Sequence, residues 1–346
     1  MSTFRYRMGG DGLFYEDTYP EMPTLQNAIN YIRFENYYLF QPLWILLISI
    51  CKSITDSSVL FQFIHSLIFN TCLYLFLKRY SSRQFSVLLV LYVSLIYFYF
   101  SFEVQREILS ISIFLINIKN LEEKKWTKFY ILAIISFLFH ISAIVIFFLP
   151  LFGKIKFSRK LVIITLLSSL LLFFVKDNIF DLFRIFLFLE SMQSKGEAYS
   201  QVSFSLIGFL AYYFVRVILF LPMALFLLTR KSEQIIRNNW FYSAFLVISV
   251  FSQFLVGFER FLNYLFVLYF VIIVDFIYTD YIYIKSKLIK LTIMMSLLGS
   301  IFFVIQYKLF TKNDFGQHYY SIFFPYNTIF DYQVNEERES YHNNSQ

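Results

Sequence analysis

Residues 59–77 read VLFQFIHSLIFNTCLYLFL, carry no charged side chain and end on Lys78-Arg79. A hydrocarbon core roughly 30 Å thick takes about 20 helical residues to cross, so this run reads as a membrane span. Apolar runs of comparable character recur at about 38–51, 85–102, 104–118, 129–151, 161–175, 202–229, 241–256, 261–278 and 288–310. Composition agrees. The 346 residues are 58% hydrophobic and only 15% charged, with a mean hydropathy of +0.60, whereas soluble domains are about 25% charged. Because lipid offers the backbone no hydrogen-bond partners, the expected fold is all-α and polytopic, with about 8–10 transmembrane helices. A soluble globular class is excluded. The 47 Phe and 27 Tyr are expected mostly as lipid-facing filler and interface anchors.

Charge then orients the chain. Five basic loops, 78–83, 119–128, 154–160, 230–237 and 280–290, hold more than half of the 30 Lys and Arg but only Glu122, Glu123, Glu233 and Asp280 among the 23 acids. Positive loops stay on the cytoplasmic side, so the net charge of +7 reports orientation, and no nucleic-acid partner is expected. The outer set is then 1–37, 103–107, 176–201, 257–260 and the tail from 311. Parity is satisfied by eight full passes if 38–51 is a half-helix and 129–151 is a hairpin bent near His140-Ile141-Ser142. Alternatively 129–151 crosses and the charge rule is broken once. Segment 176–201 is expected to lie on the outer surface as an amphipathic helix. Residues 331–346 read as a disordered polar tail, leaving 1–330 as a single membrane domain. No apolar leader precedes the first motif, and a helix ahead of residue 1 is an open expectation. Cys51 and Cys72 lie inside apolar runs without metal-ligand spacing, and no disulfide is expected.

Five clusters carry possible chemistry, four of them on the predicted outer face. Arg5-Tyr6-Arg7-Met8-Gly9-Gly10-Asp11, continuing to Tyr15, combines planar guanidinium forks suited to phosphate with glycines whose N–H groups can approach an anion. Asp11 either takes a proton from a hydroxyl or pairs with Arg7. Glu103-Val104-Gln105-Arg106-Glu107 opens an apolar helix, and Arg106 either serves a ligand or snorkels while pairing with Glu103 or Glu107. His140 lies mid-segment, either as a functional group or as a neutral core histidine. Arg216, deep in 202–229, needs an anionic partner or a wet cavity. Glu259-Arg260 opens Phe261-Leu262-Asn263-Tyr264, and Pro325-Tyr326 follows the last pass.

No Walker loop, GxSxG elbow or HExxH motif occurs, and no Asp-x-Asp or Cys/His metal set, so ATP hydrolysis, serine hydrolysis and zinc chemistry find no support. Glycosyl chemistry here is expected to be metal-independent and without a cofactor. It would draw on a lipid donor whose diphosphate leaving group is stabilised by arginines.

The chain resembles the EpsG-type, or Wzy-like, bacterial polysaccharide polymerases. Arg5 to Tyr15 matches an R-Y-x-x-G-x-D-x-x-x-Y element. Arg106 stands at the family's arginine, though Glu107 replaces a frequent glutamine. Phe139-His140-Ile141-Ser142-Ala143 matches Phe-His-x-Ser-Ala, and Arg216 with Pro222 resembles the basic residue upstream of a proline. Arg260-Phe261-Leu262-Asn263-Tyr264 and Pro325-Tyr326-Asn327-Thr328-Ile329-Phe330 resemble the last two elements. Family members usually carry a membrane helix before the first motif; none precedes Arg5 in this sequence.

The resemblance implies a GT-C-like glycosyltransferase architecture with re-entrant segments in the bacterial inner, or plasma, membrane. Its activity would be transfer of a growing glycan from undecaprenyl diphosphate to a fresh lipid-linked repeat unit at the outer face, in O-antigen, capsule or exopolysaccharide synthesis. Catalytic roles are expected for Asp11, Arg106 and His140, with Asp11 the first candidate for general base and Glu107 and His140 its competitors. Substrate contacts are expected from Arg5, Arg7, Gly9, Tyr15, Glu107, Arg216, Arg260, Tyr264 and Tyr326. Besides the lipid-linked oligosaccharide and the bilayer, a chain-length regulator and a flippase are the implied partners. Two other classes stay open: a flippase or transporter of lipid-linked oligosaccharide, and a membrane glycosyltransferase adding single sugars from a polyprenyl phosphate.

Overall fold

The computed structural model describes residues 3–36, 40–174, 210, 213–252, 259–302, 307–310, 312, 315–331 and 333–343. The predicted amphipathic segment 176–201 lies outside these residues. Among the described residues the regular elements are helices, and strand-like pairing is confined to the isolated bridges Arg5–Thr328 and Lys312–His318. The chain divides into two compact units. One is Met1–Ile144 with Ile305–Gln346, the other Val145–Val304.

In the first unit, Ser58–Tyr80 is the long apolar helix that residues 59–77 predict; Ser57 caps it by accepting from Val59 N. One face buries Phe61, His65, Phe69, Cys72 and Phe76, while Phe63, Leu67, Tyr74 and Leu75 stand exposed. A helix apolar on its outward face as well as its inner one is built for lipid. It packs on the helix Gln105–Glu122, which in turn packs on Trp126–Phe139. The Asn117 side chain binds the Phe129 carbonyl at 2.9 Å across that second contact. The 11-residue helix Pro42–Lys52 is roughly 16 Å long, about half a hydrocarbon core.

Two runs expected to be continuous are broken. Residues 85–102 fold as Gln84–Val93 followed by Ile96–Glu103, bent by 82°. The bend falls at Leu95, whose φ of 60° no helix continues through. In the second unit, 202–229 contains a π-helical turn Phe214–Ile218 and a separate helix Leu221–Arg230; Pro222 sits at that helix's start, where a missing N–H costs nothing. The run 129–151 is interrupted at His140. Trp126–Phe139 ends there, His140 is extended, and a short turn Ile141–Ala143 precedes Ile144–Phe152. The second unit centres on Arg260–Thr279, apolar and buried along most of its length.

Two described helices are long and apolar enough to cross a membrane, or three if the bent pair counts as one span. That count covers the described residues alone, where Pro42–Lys52, Trp126–Phe139, Ile141–Phe152, Leu221–Arg230 and Asn239–Phe251 are shorter apolar helices. The tail also departs from expectation: Glu336–Asn343 is a helix. It folds because Arg338 and His342 bury against the rest of the first unit, tertiary partners that the polar composition of 331–346 does not announce.

Candidate active site

The N-terminal motif does not form a loose loop. It pairs with the Pro325 return: Tyr6 N donates to Asn327 O at 3.0 Å and Ile329 N to Phe4 O at 3.0 Å. Two elements more than 300 residues apart are thus joined backbone to backbone. Arg5 is fully buried with its guanidinium 5.4 Å above the Phe102 ring. Burial pulls its pKa down to about 10, and the charge of Glu16 opposes that shift. Tyr326 is partly buried near both, 6.5 Å from Phe102; burial raises its phenol pKa and the Arg5 charge opposes it.

Arg7 points the other way. Its guanidinium donates to Asp17 at 2.7 Å and to Glu339 Oε2 at 2.6 Å, and the Glu339 bond raises its pKa against the burial that lowers it. The pairing with Asp11 that the sequence left open is replaced by these two acids. Arg7 N also donates to Glu16 Oε2 at 3.1 Å, and Glu16 receives Gln62 Nε2 at 2.8 Å.

The glycines are required sterically. Gly9 has φ 85° and donates its N–H to Ile322 O at 2.9 Å. A Cβ there would lie 2.7 Å from Phe102 O and from Glu103 Oε1, and one at Gly12 would lie 2.8 Å from Phe102 O. The helix Gly10–Thr18 therefore starts in close contact with the turn that carries Glu103. An anion does sit on its N–H groups, as the motif suggests, but it is internal. Gly10 N donates to Glu103 Oε1, and Asp11 N to Glu103 Oε2 at 3.4 Å, where the helix dipole favours a negative charge.

This helix presents two side chains of the motif on one face, a turn apart: Asp11 and Tyr15. Asp11 is exposed. Tyr15 is buried against Trp44, with ring centroids 5.1 Å apart, and its hydroxyl accepts from Arg106 Nε at 2.9 Å. Arg106 also donates Nη1 to Gln41 Oε1 at 3.2 Å and lies 4.8 Å over the Phe40 ring. These partners are neutral. Among the described residues no acid lies within ion-pairing distance of Arg106. Glu103 is taken by the Gly10 and Asp11 amides, and Glu107 by Ser142. The result is a half-exposed guanidinium, oriented at two points, with its positive charge uncompensated by the described protein groups.

Next to it on the same helix, Glu107 is buried and its Oε1 lies 3.2 Å from Ser142 Oγ, which is 2.6 Å from His140 Nδ1. Ser142 N also approaches that nitrogen at 3.2 Å. A carboxyl, a hydroxyl and an imidazole thus form a buried hydrogen-bonded chain one residue from Arg106. The first unit brings together Arg5, Arg7, Gly9, Asp11, Tyr15, Arg106, Glu107, His140 and Tyr326. The other expected site residues belong to the second unit. Arg216 falls in the turn Phe214–Ile218, and its side chain lies outside the described residues. Arg260 opens its helix half-buried, and Tyr264 is fully buried one turn on.

Sequence reading did not single out Gln41, Glu16 or Arg338, and it placed Glu103 only as a possible partner of Arg106. Glu103 had a signal, being one of two acids flanking Gln105-Arg106; Gln41 had none beyond preceding Pro42. Among the described residues no group of three or more His, Cys, Asp or Glu is placed to hold a metal ion. The family model for the EpsG family matches residues 1–330. No curated protein and no solved structure matches the chain.

Proposed function

The chain belongs to the EpsG family, and on that basis we propose that it polymerises oligosaccharide repeat units carried on a polyprenyl diphosphate, undecaprenyl diphosphate in a bacterial membrane. Family membership supports a role in polysaccharide polymerisation. The observation that carries the finer reading is Arg106, held by Tyr15 OH and Gln41 Oε1 with no acid among the described residues to neutralise it. A cation prepared in this way favours a state in which negative charge grows nearby, which is what a departing lipid diphosphate supplies.

In this reading the acceptor sugar hydroxyl attacks the anomeric carbon of the donor glycan. The bond from that carbon to the diphosphate oxygen breaks, the electron pair leaves with the diphosphate, and Arg106 stabilises it. The hydroxyl proton passes to the Asp11 carboxylate, the exposed acid one turn from Tyr15. The site opens on the outer side of the membrane, a placement that the loop charges support, in a GT-C-like arrangement with re-entrant segments. Purified protein reconstituted with lipid-linked repeat units is expected to give a ladder of products differing by one unit. Arg106→Ala and Asp11→Asn should each slow formation of the ladder by about a hundredfold or more. A ladder unchanged in both variants refutes the assignment of roles, and movement of lipid-linked units across vesicles without elongation supports the flippase reading instead.

A further inference from the structure

The C-terminal helix Glu336–Asn343 lies beyond the span 1–330 that the family match covers, yet it reaches the centre of the first unit. Arg338 is fully buried, and all three of its guanidinium nitrogens donate. Nε donates to Ser321 O at 3.1 Å, Nη1 to Arg7 O at 2.7 Å and Nη2 to Pro325 O at 2.6 Å. Two of these carbonyls belong to the return loop and one to the N-terminal motif, so a single planar fork ties the two together. Glu339 adds its ion pair to the Arg7 side chain, and His342 Nε2 stands 3.6 Å from Asp17.

The tie falls where the backbone needs one. Arg7 has φ 46° and Gly9 φ 85°; a non-glycine residue at positive φ persists only where its surroundings hold it. Arg7 O goes to Arg338, and Gly9 N goes to Ile322 O, next to the Ser321 carbonyl that Arg338 also binds. Directly after these two residues the chain enters the helix that presents Asp11 and orients Arg106 through Tyr15.

We propose that Arg338 is a positioning residue and that the C-terminal helix is a latch, fixing the N-terminal motif in the one conformation that aligns Asp11 and Arg106 for reaction. Only a guanidinium can bridge these groups, because three divergent carbonyls need a rigid set of N–H donors, which the single ammonium of lysine lacks. The catalytic half of the proposal rests on the polymerase reading; the structural half does not.

The test uses the full chain with Arg338→Lys and Arg338→Ala, Arg338→Lys deciding should Arg338→Ala fail to accumulate as folded protein. Amide hydrogen exchange over residues 5–12 is expected to accelerate at least tenfold in the variants, with exchange in Ser58–Tyr80 unchanged. In chain extension of lipid-linked units, kcat is expected to fall at least tenfold while KM moves less than threefold. Wild-type exchange over 5–12 in Arg338→Lys overturns the latch. Accelerated exchange with wild-type kcat overturns the positioning role. Wild-type protein that makes no ladder defeats the polymerase reading and leaves the exchange result to decide the latch.

Discussion

Replacing Tyr15 by Phe removes one oxygen and keeps the ring. The ring is what packs, 5.1 Å from Trp44 and 6.3 Å from Phe40, so the buried aromatic cluster stays filled. The oxygen is what accepts Arg106 Nε at 2.9 Å. A hydrogen bond to a charged group contributes about 1.5–3 kcal/mol. Arg106 is half-exposed, so water can take over part of the bond, and the lower end of that range applies. A loss of about 1.4 kcal/mol is a tenfold change in rate. Tyr15→Phe is therefore expected to lower kcat/KM for chain extension roughly tenfold, through looser placement of the guanidinium. A double-mutant cycle isolates the cause: in an Arg106→Ala background the same substitution should have almost no further effect. The reasoning fails if Tyr15→Phe stays within twofold of wild type, or if it lowers the residual activity of Arg106→Ala by the full wild-type factor.

Three other outcomes are expected. Gly9→Ala places a Cβ 2.7 Å from the Phe102 carbonyl at φ 85° and should destabilise the first unit by on the order of 2–3 kcal/mol, seen as a lower melting temperature of the purified protein. Asp11→Asn should cut kcat by about 10²–10⁴ with little change in KM, the signature of a lost general base; a lower substrate affinity at unchanged kcat would show Asp11 to be a binding group. Glu16 has its pKa raised above the usual 4.5 by burial, which its neighbours Arg5 and Arg7 oppose. A carboxyl raised in the folded state favours folding below the ordinary carboxylate range, and that contribution is lost as pH rises through the raised value. The wild-type melting temperature should therefore drop across that window relative to Glu16→Gln, and parallel curves for the two proteins would show that Glu16 does not titrate there.

Composition and the spacing of apolar runs were enough to announce a helical membrane protein, because lipid leaves the backbone few alternatives and hydropathy is a local property. The order of short motifs was enough for the family. What each charged side chain pairs with was another matter. Arg5 and Arg7 read as equivalent phosphate ligands, yet one is buried over Phe102 and the other is held by Asp17 and Glu339. Tandem glycines read as an anion cradle, and the anion turned out to be Glu103, 93 residues away. Arg106 read equally well as a ligand or as a partner of its flanking acids, and it is left to Tyr15 and Gln41 because both acids are engaged elsewhere. The polar tail reads as solvated until Arg338 finds three backbone carbonyls. Sequence determined which residue types are present and which runs are apolar enough for a membrane. Only tertiary packing decided which charges are spent on one another and which is left without an acidic partner among the described residues, since that balance depends on groups brought together from opposite ends of the chain.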